Sequence, residues 1–308
     1  MKKITSGIFP ISLVLLAASL PLFLGAYPQA VARSVFTYMA LALTWDILLR
    51  SGQVSFGIVG FYGLGSYAAI LLAVRAGMPP AVAIVAASLF AALIAFALGF
   101  LVLRLRAMYF SITTLALAEI FKVIIHNWNS FTGGPEGIVL PQVVFNGDSR
   151  ALYWLSLGMV LVVVAVSVFF EKSRLHYSLT AIRNNEIAAR TSGVDIFANL
   201  LITFTVTSLL QGLIGGVQVF SYGFAMPDSA FDGNYTLLPL AIALLGGIHS
   251  TWGPIIGAIL LGVASEYLKL KIPYGHLLVY GLIIILVILF IPNGIYGLVR
   301  KGRSKRNG

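Results

Sequence analysis

The sequence predicts an all-α polytopic membrane protein of about ten transmembrane helices, and two observations carry that prediction. Of its 308 residues, 59% are hydrophobic and only 10% charged, with a mean hydropathy of +0.97; a soluble domain has nearer a quarter of its residues charged. Apolar stretches of about 20 residues, the length that crosses roughly 30 Å of hydrocarbon, recur along nearly the whole chain. Cysteine is absent, which removes disulfides, thiolate nucleophiles and cysteine-ligated metals together.

Punctuated at charges, Pro and Gly, the spans read 8–26, 31–49, 53–74, 80–103, 107–125, 151–170, 197–220, 236–248, 252–268 and 275–292. The first follows Met1-Lys2-Lys3 and is longer than the 7–15 apolar residues of a signal peptide, so it reads as an uncleaved span. The second to the seventh are apolar runs of ordinary crossing length. The eighth is short and contains Pro239 and Gly246-Gly247, which predicts a broken or tilted helix. The last two are apolar runs leading to the basic tail 299–308; residues 1–298 read as one transmembrane domain. With the N-terminus inside, fourteen of the twenty Lys and Arg fall on the inner side, which predicts that both termini are cytoplasmic and the crossings even in number. The net charge of +10 therefore reads as membrane topology rather than nucleic-acid binding.

Two polar connections stand out. The inner one, 171–196, carries helix formers from Leu179 to Thr191, with Ser178 or Thr180 as N-cap and Gly193 as a left-handed stop. On such a helix Leu179, Ile182, Glu186 and Ala189 share a stripe, and Ala181, Ala188 and Ser192 put small residues beside it, where another protein's surface can approach closely. Arg183 and Glu186, three apart, can pair with each other or with that partner. A merely solvated connecting helix is the alternative. The outer connection, 126–150, contains Thr132-Gly133-Gly134-Pro135-Glu136-Gly137.

The segment 51–72 is the richest in glycine. Gly57, Gly60, Gly63, Ser66 and Ala69 recur every third residue; since three residues turn a helix by about 300°, the series drifts around the axis and offers close packing to several neighbours. Gly52 and Gly65 add to it, and Ser51, Gln53 and Ser55 place neutral polar groups at its inner end. The segment reads as dense packing or as part of a polar route through a broken helix. It also weakly echoes the glycine-rich stretch 246–262.

Asp46, Glu119, Lys122 and Glu266 lie within or near spans, where a charge is costly and a functional candidate by default. Local pairs are available to each: Asp46 with Arg50, Glu119 with Lys122, Glu266 with Lys269. His126, His176, His249 and His276 have no metal-ligand spacing, and His249 beside Ser250 makes a poor base and nucleophile pair, because adjacent helical residues point about 100° apart.

The inner segment "AIRNNEIAARTSGVDI" resembles the cytoplasmic loop by which permeases of ATP-binding-cassette importers touch their ATPase, the match resting on Arg183, Glu186, Ala188, Ala189 and Gly193. Ile187 separates the glutamate from the alanines and the "I-x-L-P" ending is missing, which sets it apart from the maltose-type branch. "SGQVSFGIVGFYGLGSYAAILL", "FTGGPEGI" and "ALLGGIHSTWGPIIGAILLG" resemble, in order, blocks of the branched-chain amino acid permease family. Related sugar permeases show an acidic "G-G-I-D-L-S" where this chain has "SGQVSFG".

The resemblance implies a type II ABC importer-like permease in a bacterial cytoplasmic (inner) membrane. Arg183, Glu186, Ala188, Ala189 and Gly193 would couple to ATPase subunits. Gln53, Ser55, Gly57, Gly60, Gly63 and Gly65 would line the path or pack helices. Thr132, Gly133, Gly134, Pro135, Glu136 and Gly137 would face a solute-binding protein. It also implies a second, related permease subunit and branched-chain or other small amino acids as substrate, with urea and short amides as the nearest alternative. No phosphate-binding G-x-x-x-x-G-K-[ST] occurs, so ATP and Mg belong to another chain and no cofactor is expected in this one. An ion-coupled transporter using Asp46 or Glu119 and an intramembrane enzyme are the competing classes.

Overall fold

The computed structural model describes residues 5–105, 108–141, 144–271, 275–290 and 294–298. The basic tail 299–308, together with Lys2, Lys3 and Arg106 of the charge pattern, lies outside the described residues. The described chain is almost entirely helical: α1 (Thr5–Phe23), α2 (Ala26–Leu49), α3 (Ile58–Ala76), α4 (Pro80–Val102), α5 (Met108–Asn127), α6 (Asn129–Thr132), α7 (Ser149–Lys172), α8 (Arg174–Asn184), α9 (Glu186–Thr191), α10 (Ile196–Tyr222), α11 (Pro227–Ala230), α12 (Asn234–Gly246), α13 (Trp252–Gly257), α14 (Val263–Lys271) and α15 (His276–Phe290). A π turn over Ala258–Gly262 joins α13 to α14. Two short strands, β1 (Ile138–Val139) and β2 (Phe224–Ala225), pair antiparallel.

Each predicted span overlaps a helix among the described residues, α13 and α14 together forming the ninth. Six of them, α2, α3, α4, α5, α7 and α10, are long and apolar enough to cross a bilayer. α2 and α10 are the central rods, with 72% of their apolar windows buried, while α4 and α5, at 39% and 33%, turn Leu89, Leu93, Ile120 and Val123 outward. A polar ladder joins the two central helices: Thr37 Oγ1 donates to Gln218 Oε1 at 2.9 Å, and Gln211 Nε2 donates to Thr44 Oγ1 at 3.4 Å. Between helices in lipid there is no hydrophobic drive, so such bonds and close backbone packing hold the bundle.

The glycines at the N-cap of α3 and within it meet three different neighbours, as a series that drifts around the axis does. A Cβ at Gly57 would sit 2.8 Å from Thr114 O and one at Gly60 3.0 Å from Ala118 Cα, both on α5. One at Gly63 would enter the ring of Phe231, and one at Gly65 would strike the backbone of Gly212 on α10. α12 and α13 pack the same way, Gly246, Gly253 and Gly257 each lying against the other helix or the turn between them. At 1.5 Å per residue the thirteen residues of α12 reach about 20 Å, and the helix keeps Pro239 in its interior.

Two sequence expectations are corrected. The third helix starts at Ile58, not at 53: Gly52 has φ +86°, and residues 53–57 are non-helical. Their backbone groups are satisfied by side chains instead: Trp45 Nε1 donates to Ser55 O, Ser111 Oγ to Val54 O, and Phe56 N to Thr114 Oγ1, as non-helical backbone inside a membrane protein requires. The inner connection is not one helix over 179–193 but two, α8 and α9. Asn185 is extended and its side chain accepts from Ala188 N at 3.0 Å, capping α9 in place of Ser178 or Thr180.

Candidate functional site

The two connections occupy opposite ends of the bundle. At one end α8 and α9 lie under the breaks that precede α3 and α13. At the other, the residues after α5 meet β2 and α11.

At the first end, Gly193 (φ +82°) closes α9 as expected: Val194 N donates to Ala189 O and Gly193 N to Arg190 O, the paired bonds of a Schellman stop. Leu179, Ile182 and Ala189 are buried against the bundle, whereas Ala188 is exposed. Glu186 pairs with Arg190 at 3.7 Å. Arg183 lies with its aliphatic stem over Gly52, and burial pulls its guanidinium below its ordinary value, partly offset by Asp46. Gln53, Arg183, Glu186 and Arg190, with Arg104 and Phe197, line a cavity of about 530 Å³. Gln53 Oε1 is buried there without a partner, and Ser55, nearly fully buried, accepts from Gly57 N. Sequence reasoning passed over two residues on the free face: Ile187, noted as an interruption, is 78% exposed, and Tyr177 is 73% exposed. An apolar side chain projecting from a polar helix was the signal for both.

Above this cavity sits a buried ionic clasp. Arg50, 1% exposed, donates from Nε to Asp46 Oδ2 at 3.0 Å and from Nη2 to Ser167 and Thr251 at 3.2 and 3.4 Å. The other Asp46 oxygen accepts the backbone N–H of His249. Glu171, the last acidic residue before α8, accepts from both the backbone N and the hydroxyl of Thr251, the latter at 2.6 Å. The bent segment 248–251 between α12 and α13 is thus tied to α2 and to the foot of α7. His249 adopts φ +67°, and burial, then Arg183 and Arg50, push its imidazole down to about 4, so it is neutral near pH 7. Ser250 Oγ accepts from Trp252 N. Gly294 packs its backbone against Gly247, bringing the end of the described chain to this same end.

At the opposite end the Thr132–Gly137 turn is held rigidly. Gly133, Gly134 and Gly137 all have positive φ, and a Cβ on them would strike Gly137 O, Asn129 Oδ1 and Ala225 O respectively. Buried Thr132 donates to Ile125 O and Trp128 O. Pro135 and Glu136 are left exposed at the tip. Pairing of Ile138 with Ala225 joins the turn to the connection after α10, and Arg75 Nη2 donates to Ser130 O and Phe131 O. Lys122 does not rely on Glu119: its ion pair is with Asp228 of α11, at 2.8 Å, a partner distant in sequence. The predicted Glu266–Lys269 pair forms at 3.0 Å, and Lys269 also donates to Tyr38 at 2.9 Å.

A family model described as the permease component of branched-chain amino acid transport systems matches residues 27–288. The high-affinity branched-chain amino acid transport system permease protein LivM of Escherichia coli K12 is 29% identical over 98% of this chain and 77% of its own length. LivH of Salmonella typhimurium, a permease protein of the same kind of system, is 25% identical over 86% and 95%. A probable LivM of Methanocaldococcus jannaschii is 26% identical over 81% and 79%. With the match extending from the start of α2 to within α15, the chain belongs to the family of permease components of branched-chain amino acid transport systems.

Proposed function

We propose that this chain is one of two related permease subunits of an ATP-driven importer and passes branched-chain or other small neutral amino acids inward across a bacterial inner membrane. The observation that carries the reading is that both helix breaks at one end are held by the chain leading into and through α8, the second by Glu171 at the foot of α7 on Thr251 and the first by Arg183 of α8 on Gly52, with a rigid glycine turn at the other end. In this reading ten helices cross the bilayer and both termini are cytoplasmic. ATPase subunits, which carry ATP and Mg, press on Ala188, Ile187 and the Glu186–Arg190 pair, and a loaded binding protein docks on Pro135 and Glu136. The chain itself holds no cofactor, and residues 1–298 act as one domain followed by a basic tail.

An ion-coupled mechanism has less support. Both oxygens of Asp46 are engaged, by Arg50 and by His249 N–H, and Glu119 lies on an outward face of α5. The deciding experiment reconstitutes the complete complex in proteoliposomes with labelled leucine. Uptake should require internal ATP and the binding protein and survive collapse of ion gradients; uptake that tracks an ion gradient and ignores ATP would reject the proposal.

A further inference from the structure

Four tyrosines gather where α2, α3 and α10 meet the start of α12. The rings of Tyr62 and Tyr235 are 4.4 Å apart, and Tyr38 stacks on Tyr235 at 5.8 Å. Tyr222 joins Tyr62 and Tyr235 around a cleft floored by Ser66 and Gln218 and roofed by β2. Tyr38 is twelve residues from Arg50, about 18 Å along α2, so the cleft lies in the half of the bundle nearer the glycine turn.

The cleft is lined by uncharged residues, and charged groups lie beyond its lining. Arg33, one turn before Thr37 whose hydroxyl is bonded to Gln218 of the cleft floor, has two buried guanidinium nitrogens, Nε and Nη1, without a partner. Lys269, the other cation nearby, is already engaged by Glu266 and Tyr38. Asp232, just before α12 and three residues ahead of Tyr235 of the cleft, holds Asn234 with one oxygen. Buried guanidinium nitrogens lacking acceptors are costly, and the planar donor fork of an arginine fits a carboxylate. Aromatic faces beside it suit a short alkyl chain.

We propose that this cleft is an amino-acid subsite of the permease itself: the substrate's carboxylate meets Arg33, its ammonium faces Asp232, and its alkyl side chain lies against Tyr62 and Tyr235. The inference rests on the import function proposed above and adds a place where the substrate is recognised after it leaves the binding protein. The free space is about 20 Å³, room for one water, so the structure holds the cleft closed and entry of substrate requires its walls to part.

The chain has no cysteine, so Ser229→Cys at the cleft rim gives this chain a single reporter for a membrane-impermeant thiol reagent, applied to the complete reconstituted importer and read on this chain after the subunits are separated. Leucine at millimolar concentration, without binding protein, should slow labelling at least fivefold, and leucinamide, which lacks the carboxylate, should not. Arg33→Gln should abolish the protection and lower leucine uptake about tenfold while binding-protein-stimulated ATP hydrolysis stays within twofold. Equal labelling with and without leucine, protection that persists in Arg33→Gln, or uptake and hydrolysis falling together would each overturn the subsite. If the wild-type complex takes up no amino acid under ATP, the import function fails and the subsite with it; normal uptake without protection removes the subsite alone.

Discussion

Gly52 lies directly beneath Arg183: a Cβ on the glycine would come within 3.3 Å of the arginine Cγ, and the glycine's φ of +86° already excludes most other residues. This contact joins the first helix break to the segment proposed to receive the ATPase stroke. Gly52→Ala should cost about 1–2 kcal/mol from the left-handed backbone alone and push α8 away from the break. The expected outcome is a complex that assembles and hydrolyses ATP but moves less leucine per ATP, measured by paired hydrolysis and uptake assays.

Removing one member of the clasp strands a buried charge. Asp46→Ala leaves Arg50 without its carboxylate and should destabilise the chain by about 3–5 kcal/mol, visible as a lower thermal unfolding midpoint in detergent. Asp46→Leu combined with Arg50→Met should recover most of that stability. If the clasp also transmits movement from α7 to the 248–251 bend, the double variant recovers stability without recovering transport.

Glycine substitutions should sort by what each Cβ would meet. Gly65→Ala forces α3 and α10 apart and should cost about 1–3 kcal/mol, as overpacking does. Gly158→Ala, within α7 and with open space around its Cβ, should stabilise by about 0.5–1 kcal/mol. Unfolding midpoints of the two variants, measured side by side, test the distinction.

Ile187 projects from α9 and is 78% exposed among the described residues. Ile187→Asp should leave the unfolding midpoint unchanged and reduce the ATPase recovered with the permease after purification. A fall in the midpoint comparable to that of a core substitution would show instead that Ile187 supports the fold.

The imidazole of His249, held near 4 against an ordinary 6.5, faces Arg50, Arg183 and His176, with Asp46 and Glu171 bound to its own segment. Because its folded value is depressed, the folded state disfavours the proton. The stability this represents is complete above about pH 6.5 and declines as pH falls toward 4. His249→Asn, which tolerates the left-handed backbone, should therefore show a smaller drop in unfolding midpoint between pH 7 and pH 5 than the wild type.

Much of this was readable from the residues in order. Span positions follow from apolar run length, the stop at Gly193 from glycine's freedom at positive φ, and the several neighbours of α3 from the 300° drift of its small residues. Those properties depend on a few adjacent residues and on the geometry of one helix. The break at Asn185 was missed because its side chain caps α9 in competition with helix continuation, and composition does not say which wins. The start of α3 was missed because an apolar stretch reads as helix until the side chains that satisfy an extended backbone, Trp45, Ser111 and Thr114, are in view.

What the sequence determined by itself is therefore the inventory of rods, their small-residue faces and the two polar connections. What only the tertiary structure decided is partnership. Lys122 chose Asp228 over its helical neighbour, Arg50 reached residues 117 and 201 positions away, and Arg33 was left beside the tyrosines without an acceptor. Helical periodicity places a side chain on a face, but which group meets it there is set by how the helices pack, and that depends on the whole chain at once.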